Sequence, residues 1–174
     1  MILKNVLIKA ATLVGEDVDF TQTGDEQTIF TECGKDAVLR VSGEFADVKT
    51  KEKVVSVGGA IPYSALKKSV KRVIKVVYSD VKQPFVEEND GIKVGFDGEA
   101  EVTYAYYAEA SGLTSEIDLP PRFGLNLLAL GTAGEYCYRK GFYKEGEIYD
   151  KRFSAALDNV TRDIKSVTLG AVEI

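Results

Sequence analysis

The stretch from Asp118 to Lys165, DLPPRFGLNLLALGTAGEYCYRKGFYKEGEIYDKRFSAALDNVTRDIK, most narrows what the chain can fold into. Apolar residues recur there at helical spacing in two runs. Phe123, Leu127, Leu130, Gly134 and Cys137 line the first, and Tyr149, Phe153, Ala156, Leu157, Val160 and Ile164 the second. Asp118 reads as an N-cap, and Pro120 and Pro121 fit a first turn, where no backbone donor is lost. Arg139 and Lys140 suit a helix C-terminus, and Gly141 is the expected left-handed residue beyond it. The return helix starts near Tyr143 or Lys144, and so short a link forces the two helices antiparallel. Gly124, Gly131 and Gly134 would let another helix come close.

Two further helices precede this hairpin. Leu3, Val6, Leu7, Ala10, Leu13 and Val14 predict an amphipathic helix over 2–14, stopped at Gly15. Glu16 to Gly24 is acidic and turn-like. Ile29, Cys33, Ala37, Val41 and Phe45 predict a second helix over 25–46, with Asp25 and Glu26 at the positive end of its dipole. Gly34 and Gly43 each weaken it by up to about 1 kcal/mol relative to alanine, and mark candidate close contacts.

Between the helix pairs the pattern turns to β. Val54 to Val57, Arg72 to Tyr78, Pro84 to Glu88, Ile92 to Phe96 and Glu99 to Ala108 read as strands. Gly58 to Pro62 reads as a turn or loop, and Tyr63 to Leu66 as a short extended piece or a single turn. Asn89-Asp90-Gly91 and Asp97-Gly98 read as hairpin turns. In the last strand Val102, Tyr104 and Tyr106 face one way, and Thr103, Ala105 and Tyr107 the other. Successive hairpins predict an antiparallel sheet or a small sandwich. The predicted fold class is α+β: a four-helix bundle, of two N-terminal and two C-terminal helices, with an inserted antiparallel β domain. The helical domain covers 1–48 and 112–166, the β domain 49–111 and a C-terminal tail 167–174. The apolar, β-prone residues Ser166 to Ile174 pair with a neighbour's strand, join the chain's own sheet or stay free.

Chemistry is sparse. The 174 residues include no histidine, which removes the commonest general base and metal ligand. A serine or cysteine nucleophile would lack its usual activating partner. There is no Walker loop, no dinucleotide fingerprint and no His/Cys ligand pair. No catalytic residue, cofactor or metal is therefore expected. The net charge of −5 argues against a general nucleic-acid binder, and does not exclude a surface that lets DNA pass without sticking. Cys33 and Cys137 read as buried thiols, and a bond between them cannot be read from sequence. The start, MILKNVLIKAATLVG, contains Lys4 and Lys9 and is too short in apolar residues to cross a bilayer, so cytoplasmic synthesis is expected. Glu87, Glu88 and Asp90 form a solvated hairpin edge or a carboxylate cluster for a cation. Lys49, Lys51 and Lys53, then Lys67, Lys68, Lys71, Arg72 and Lys75, either guard sheet edges or meet an acidic protein or DNA surface. Tyr104, Tyr106 and Tyr107 serve sheet packing or a ligand platform; Tyr136, Tyr138, Tyr143 and Tyr149 pack the hairpin or an interface between copies.

LPPRFGLNLLALGTAGEYCYRKGFYKEGEIYDKRFSAALDNV resembles the C-terminal helical hairpin of head-to-tail connector proteins of tailed phages. A Leu-Pro start, an Ala/Leu helix, an acidic-Tyr-Cys end, a Gly-hydrophobic turn and an aromatic-rich return helix occur together in that family. GGAIPYSALKKSVKRVIKV resembles the start of the β domain in adaptors encoded in prophages of low-GC Gram-positive bacteria. The order of helices and strands is similar to that of the tail tubular adaptor of short-tailed phages.

The resemblance implies a structural virion protein that is not an enzyme and binds no cofactor. Such adaptors form a ring, typically of twelve copies, below the portal protein. The ring extends the DNA channel and receives the next neck or tail protein, and DNA passes without sequence-specific binding or any membrane. The place implied is the virion neck, assembled in host cytoplasm. Carried onto this chain, the fourth helix and Val167, Thr168, Leu169, Val172 and Ile174 become portal-facing candidates. The β domain becomes the candidate for contacts along the ring. There Lys67, Lys68 and Lys71 would meet the acidic Asp17, Asp19, Asp25 and Glu26 of a neighbour. A head-completion or tail-terminator protein, or a small bacterial ligand-binding α+β module, are the alternative expectations.

Overall fold

The computed structural model describes residues 1–169, and the side chains of residues 1–162. The fold is α+β, with four α-helices and seven strands in antiparallel sheets among the described residues. Its residues fall into two compact units: Asp47–Tyr107 holds all the strands, and Met1–Ala46 together with the chain from Ala108 onward holds the helices.

In the helical unit, α1 (Leu3–Val14) and α2 (Asp25–Arg40) are followed much later by α3 (Leu125–Arg139) and α4 (Tyr143–Leu169). α1 and α2 touch each other, and α3 packs against α1, α2 and α4. Its small residues explain that central place: Ala129, Gly131, Thr132, Ala133 and Gly134 are all buried. A Cβ built on Gly131 would come 3.0 Å from the Phe153 ring of α4, and one on Gly34 would come 2.5 Å from Leu7 of α1. Both glycines are thus sites of close helix approach. Phe30 of α2 stacks on Tyr136 of α3 with ring centroids 4.0 Å apart, and Phe20 meets Phe30 edge-on. Arg139 ties α3 to α2 through Glu32 and Asp36, each at 2.6 Å. Arg40 ties α2 to α4 through Asp150 at 3.2 Å.

Gly141 ends the hairpin turn as expected, at φ 80°, a conformation that costs a residue with a side chain about 1–2 kcal/mol. The start of the hairpin differs from expectation. α3 begins at Leu125 after an extended Gly124, so Asp118 is not its N-cap and Pro120 and Pro121 lie ahead of it. Two prolines also favour an extended residue before each of them, which holds the chain out of the helical region there. The second helix changes character after Arg40: Val41–Phe45 is a π-helical turn, with the amide of Ala46 donating to Val41 O. The hairpin's second arm is longer than expected. Ser166 to Leu169 continue α4 where a free or strand-pairing tail was predicted, since no glycine or proline intervenes before Gly170.

The sheet unit contains a four-stranded sheet in the order β1-β7-β3-β4 and a three-stranded sheet in the order β2-β6-β5. β1 is Val48–Ser56, β2 Ala60–Pro62, β3 Val70–Tyr78, β4 Val81–Gln83, β5 Phe85–Glu87, β6 Gly91–Val94 and β7 Gly98–Tyr106. A 3₁₀ turn covers Tyr63–Ala65. The Asn89-Asp90-Gly91 signal joins β5 to β6 as a hairpin, with Phe85 opposite Val94 and Glu87 opposite Ile92. Asp97-Gly98 makes no hairpin: β6 and β7 belong to different sheets, so this turn hands the chain from one sheet to the other. Gly58 and Gly59, at φ 62° and 71°, form a two-residue turn, in line with the turn or loop expected over Gly58 to Pro62, but Ala60–Pro62 beyond them is strand β2. Ser79 and Asp80 make a similar left-handed turn into β4, a strand the sequence did not suggest. The sheet unit closes at Tyr107, so residues 108–111 belong with the helices.

Candidate interaction surfaces

The residues singled out from sequence separate into three settings. Val167, Thr168 and Leu169 lie in the last turn of α4, and Val172 and Ile174 lie outside the described residues. Lys67 and Lys68 occupy the exposed link between the 3₁₀ turn and β3. This link is held from below: the Lys67 amide donates to Glu52 Oε2 at 3.1 Å, the Lys68 amide to the Tyr104 hydroxyl at 3.3 Å, and that hydroxyl to Glu52 Oε1 at 2.6 Å. Burial, then the bond to Glu52, pushes the Tyr104 phenol up to about 12. The Lys68 ammonium stands 5.3 Å from the Tyr106 ring centroid. Lys71 sits at the β3 bulge, half-buried, 3.4 Å from Asp47 Oδ1. Arg72 pairs with the same carboxylate, and together they hold Asp47 below the usual carboxylate range, Arg72 contributing more.

A different set of cations shares one sheet face. Lys49 and Arg72 are both opposite Ala105, Lys51 and Lys75 are both opposite Thr103, and Lys53 is opposite Glu101. Directly opposed residues of an antiparallel ladder project to the same side. Lys82 joins them as the partner of Val77, which in turn opposes Glu101. All six cations are exposed. The other side carries Val54, Val76, Val102 and Tyr104, all buried. The period of two was visible in KTKEK, but the register that adds Arg72, Lys75 and Lys82 was not.

The acidic turn between α1 and α2 is partly committed. Asp19 accepts from the Thr21 amide and hydroxyl, which hold its carboxyl low. Glu26 accepts from Lys140 and from the Tyr136 hydroxyl, which depress it likewise. Asp17 and Asp25 are exposed, with no hydrogen bond or ion pair among the described residues. By sequence, residues 47–107 contain ten basic and nine acidic residues and the remainder twelve and eighteen, so the charge of −5 divides into +1 and −6.

The sheet unit also has an apolar cleft of about 410 Å³ lined by Val55, Val57, Ile61, Pro62, Ala65 and Ile92, whose charged lining groups are Glu88 and Asp90. Val57 is 75% exposed there. Glu87 is otherwise engaged, accepting from the Val73 amide at 3.1 Å and the Tyr63 hydroxyl at 3.4 Å. No group of three His, Cys, Asp or Glu residues among the described residues could hold a metal. Cys33 and Cys137 are buried free thiols, and burial pushes Cys33 up to about 12, far from the reactive thiolate range. Among the described residues no helix is long and apolar enough to cross a membrane. The hairpin tyrosines divide: Tyr136 is core, while Tyr143 is 68% exposed beside Phe142 at 48%. Compared with protein-family models and with curated proteins, the chain matches none.

Proposed function

We propose that this protein is a structural head-to-tail adaptor of a tailed phage, a subunit of a ring below the portal that extends the DNA channel to the tail. The observation that carries the reading is the order of elements around one hairpin: two helices, a contiguous run of strands, then two helices joined through Gly141. That order is the one the sequence resemblance implies. We read the helices as a four-helix bundle into which the β domain is inserted, with α3 as its central member because it touches the other three. Such a hairpin, glycine-packed and tied by Arg139 and Arg40, can serve as a rigid strut. The end of α4, with Val167, Thr168 and Leu169, is the portal-facing candidate. The acidity of the helical unit suits a channel wall, because like charge lets a phosphate backbone slide instead of adhering.

Sedimentation of the purified chain with the portal protein of the same phage tests this. The expected result is a complex heavier than the portal ring, with several adaptor chains per portal. A chain that stays at monomer mass beside the portal contradicts it. The apolar cleft of the sheet unit favours a second reading, a small ligand-binding module. That reading predicts a monomer or dimer indifferent to portal, with small apolar molecules shifting the amide signals of Val57 and Ile92 in NMR spectra.

A further inference from the structure

Edge protection accounts for the lysines of β1 but not for the valines that follow them. Lys49, Lys51 and Lys53 suit an open edge strand, which β1 is in its sheet. The same alternation continues into Val55 and Val57, which are 57% and 75% exposed. Apolar side chains on an open edge invite another sheet instead of repelling it, so guarding the edge is not their role. Both line the apolar cleft, together with the buried Ile61 of β2 and Ile92 of β6. Its volume of about 410 Å³ lies within the range of roughly 300–1,000 Å³ that small-molecule sites occupy. The charged groups lining it, Glu88 and Asp90, stand on the turn between β5 and β6. Both carboxylates are exposed, and neither has a hydrogen bond or ion pair among the described residues. Lys93, opposite Ala60, lies outside the lining.

We infer that this cleft binds a small organic cation, an ammonium group on an apolar body, with the body against Val55, Val57, Ile61 and Ile92 and the ammonium at Glu88 and Asp90. Charge complementarity within the cleft selects this class. The charge lining it is of one sign, so an anionic ligand is repelled, and a neutral one leaves both carboxylates unpaired beside apolar surface. A bare metal ion is unsuited, because no group of three His, Cys, Asp or Glu among the described residues could hold one. An added peptide strand is unsuited too. β2 is three residues long, Ala60 already exchanges both backbone hydrogen bonds with Val57, and Pro62 has no amide hydrogen to donate. The inference rests on the ligand-binding reading of the cleft and is independent of the ring.

NMR titration of the full chain tests it, followed at the Val57 and Ile61 amides. The probes share one body and differ in the head: octylammonium, octanol and octanoate, each kept below the concentration at which it micellises. At neutral pH the first is cationic and the last anionic. Octylammonium should bind about threefold or more tightly than octanol, which is what two exposed ion pairs contribute, and octanoate should bind least tightly. Glu88→Gln with Asp90→Asn should remove the preference among heads and leave the affinity for octanol unchanged; asparagine before glycine keeps the turn. Val57→Ser, at an exposed site where folding is insensitive, should weaken the binding of octylammonium and octanol alike. No shift with any of the three probes overturns the inference and the ligand-binding reading together. Octylammonium that binds no more tightly than octanol, or a preference that survives the double substitution, overturns the inference and leaves that reading standing. Binding that Val57→Ser does not weaken overturns it as well, because the ligand then lies outside this cleft.

Discussion

Phe153→Ala tests the packing on which the strut depends. Phe153 is fully buried, and its ring lies over the space left by Gly131, 3.0 Å from where a Cβ there would be. The Arg40 guanidinium carbon stands 5.1 Å from the ring centroid. Returning such a ring to water costs about 2–3 kcal/mol in transfer energy. The space left is about 100 Å³, which at about 24 cal/mol per Å³ adds about 2 kcal/mol if the walls hold. Partial collapse keeps the sum within the usual range of about 3–5 kcal/mol for Phe→Ala in a core. For a chain of this length, each kcal/mol moves Tm by about 2–4 °C, so a fall of about 6–20 °C is expected. The assay is thermal unfolding followed by helical circular dichroism, a signal that reports the unit containing Phe153. Phe142→Ala, at the hairpin tip and 48% exposed, is the comparator and should cost within about 0.5 kcal/mol. If Phe153→Ala lowers Tm no more than Phe142→Ala does, α4 is not anchored on α3 through this ring, and the account of the hairpin as a rigid strut fails.

Tyr104→Phe leaves Glu52 and the Lys68 amide without their hydroxyl partner, and should cost about 1–3 kcal/mol with faster hydrogen exchange at the Lys68 amide. The Glu26 carboxyl is held low chiefly by Lys140 and next by Tyr136, so its contribution to stability is present at neutral pH and lost as pH falls below about 4.5 and through the folded value. Glu26→Gln should therefore be less stable than wild type at pH 7, with the difference shrinking on acidification in parallel urea titrations. Gly141→Ala must adopt φ near 80° and should cost about 1–2 kcal/mol by urea titration, where alanine elsewhere in a helix would stabilise.

The hairpin was legible because its signals are local. Phe153 and Leu157 recur at helical spacing, and Gly141 is the single residue that can turn the chain there. Asp118 misled because an N-cap residue and two prolines look the same whether the helix starts at once or several residues later. The strands of the sheet unit were mostly visible, but their partners were not. Asp97-Gly98 is a good hairpin dipeptide, yet β7 pairs with β1 and β3 at long range, and tertiary pairing decides against the local preference. The Ser79-Asp80 turn carries no glycine, so β4 escaped notice. The same limit applies to the interaction surface. KTKEK announces an exposed alternation, whereas the cation cluster needs the register that sets Lys51 and Lys75 on either side of Thr103. The Lys68 ammonium over Tyr106 and the Lys71 pair with Asp47 are likewise contacts that no spacing in the sequence announces.

Electron microscopy of negatively stained particles, of the purified chain mixed with its portal, bears most directly on the adaptor role. The account predicts class averages in which a closed ring of this protein is stacked on the portal and continues its channel. Portal rings with bare ends, among small separate particles of the chain, would contradict it.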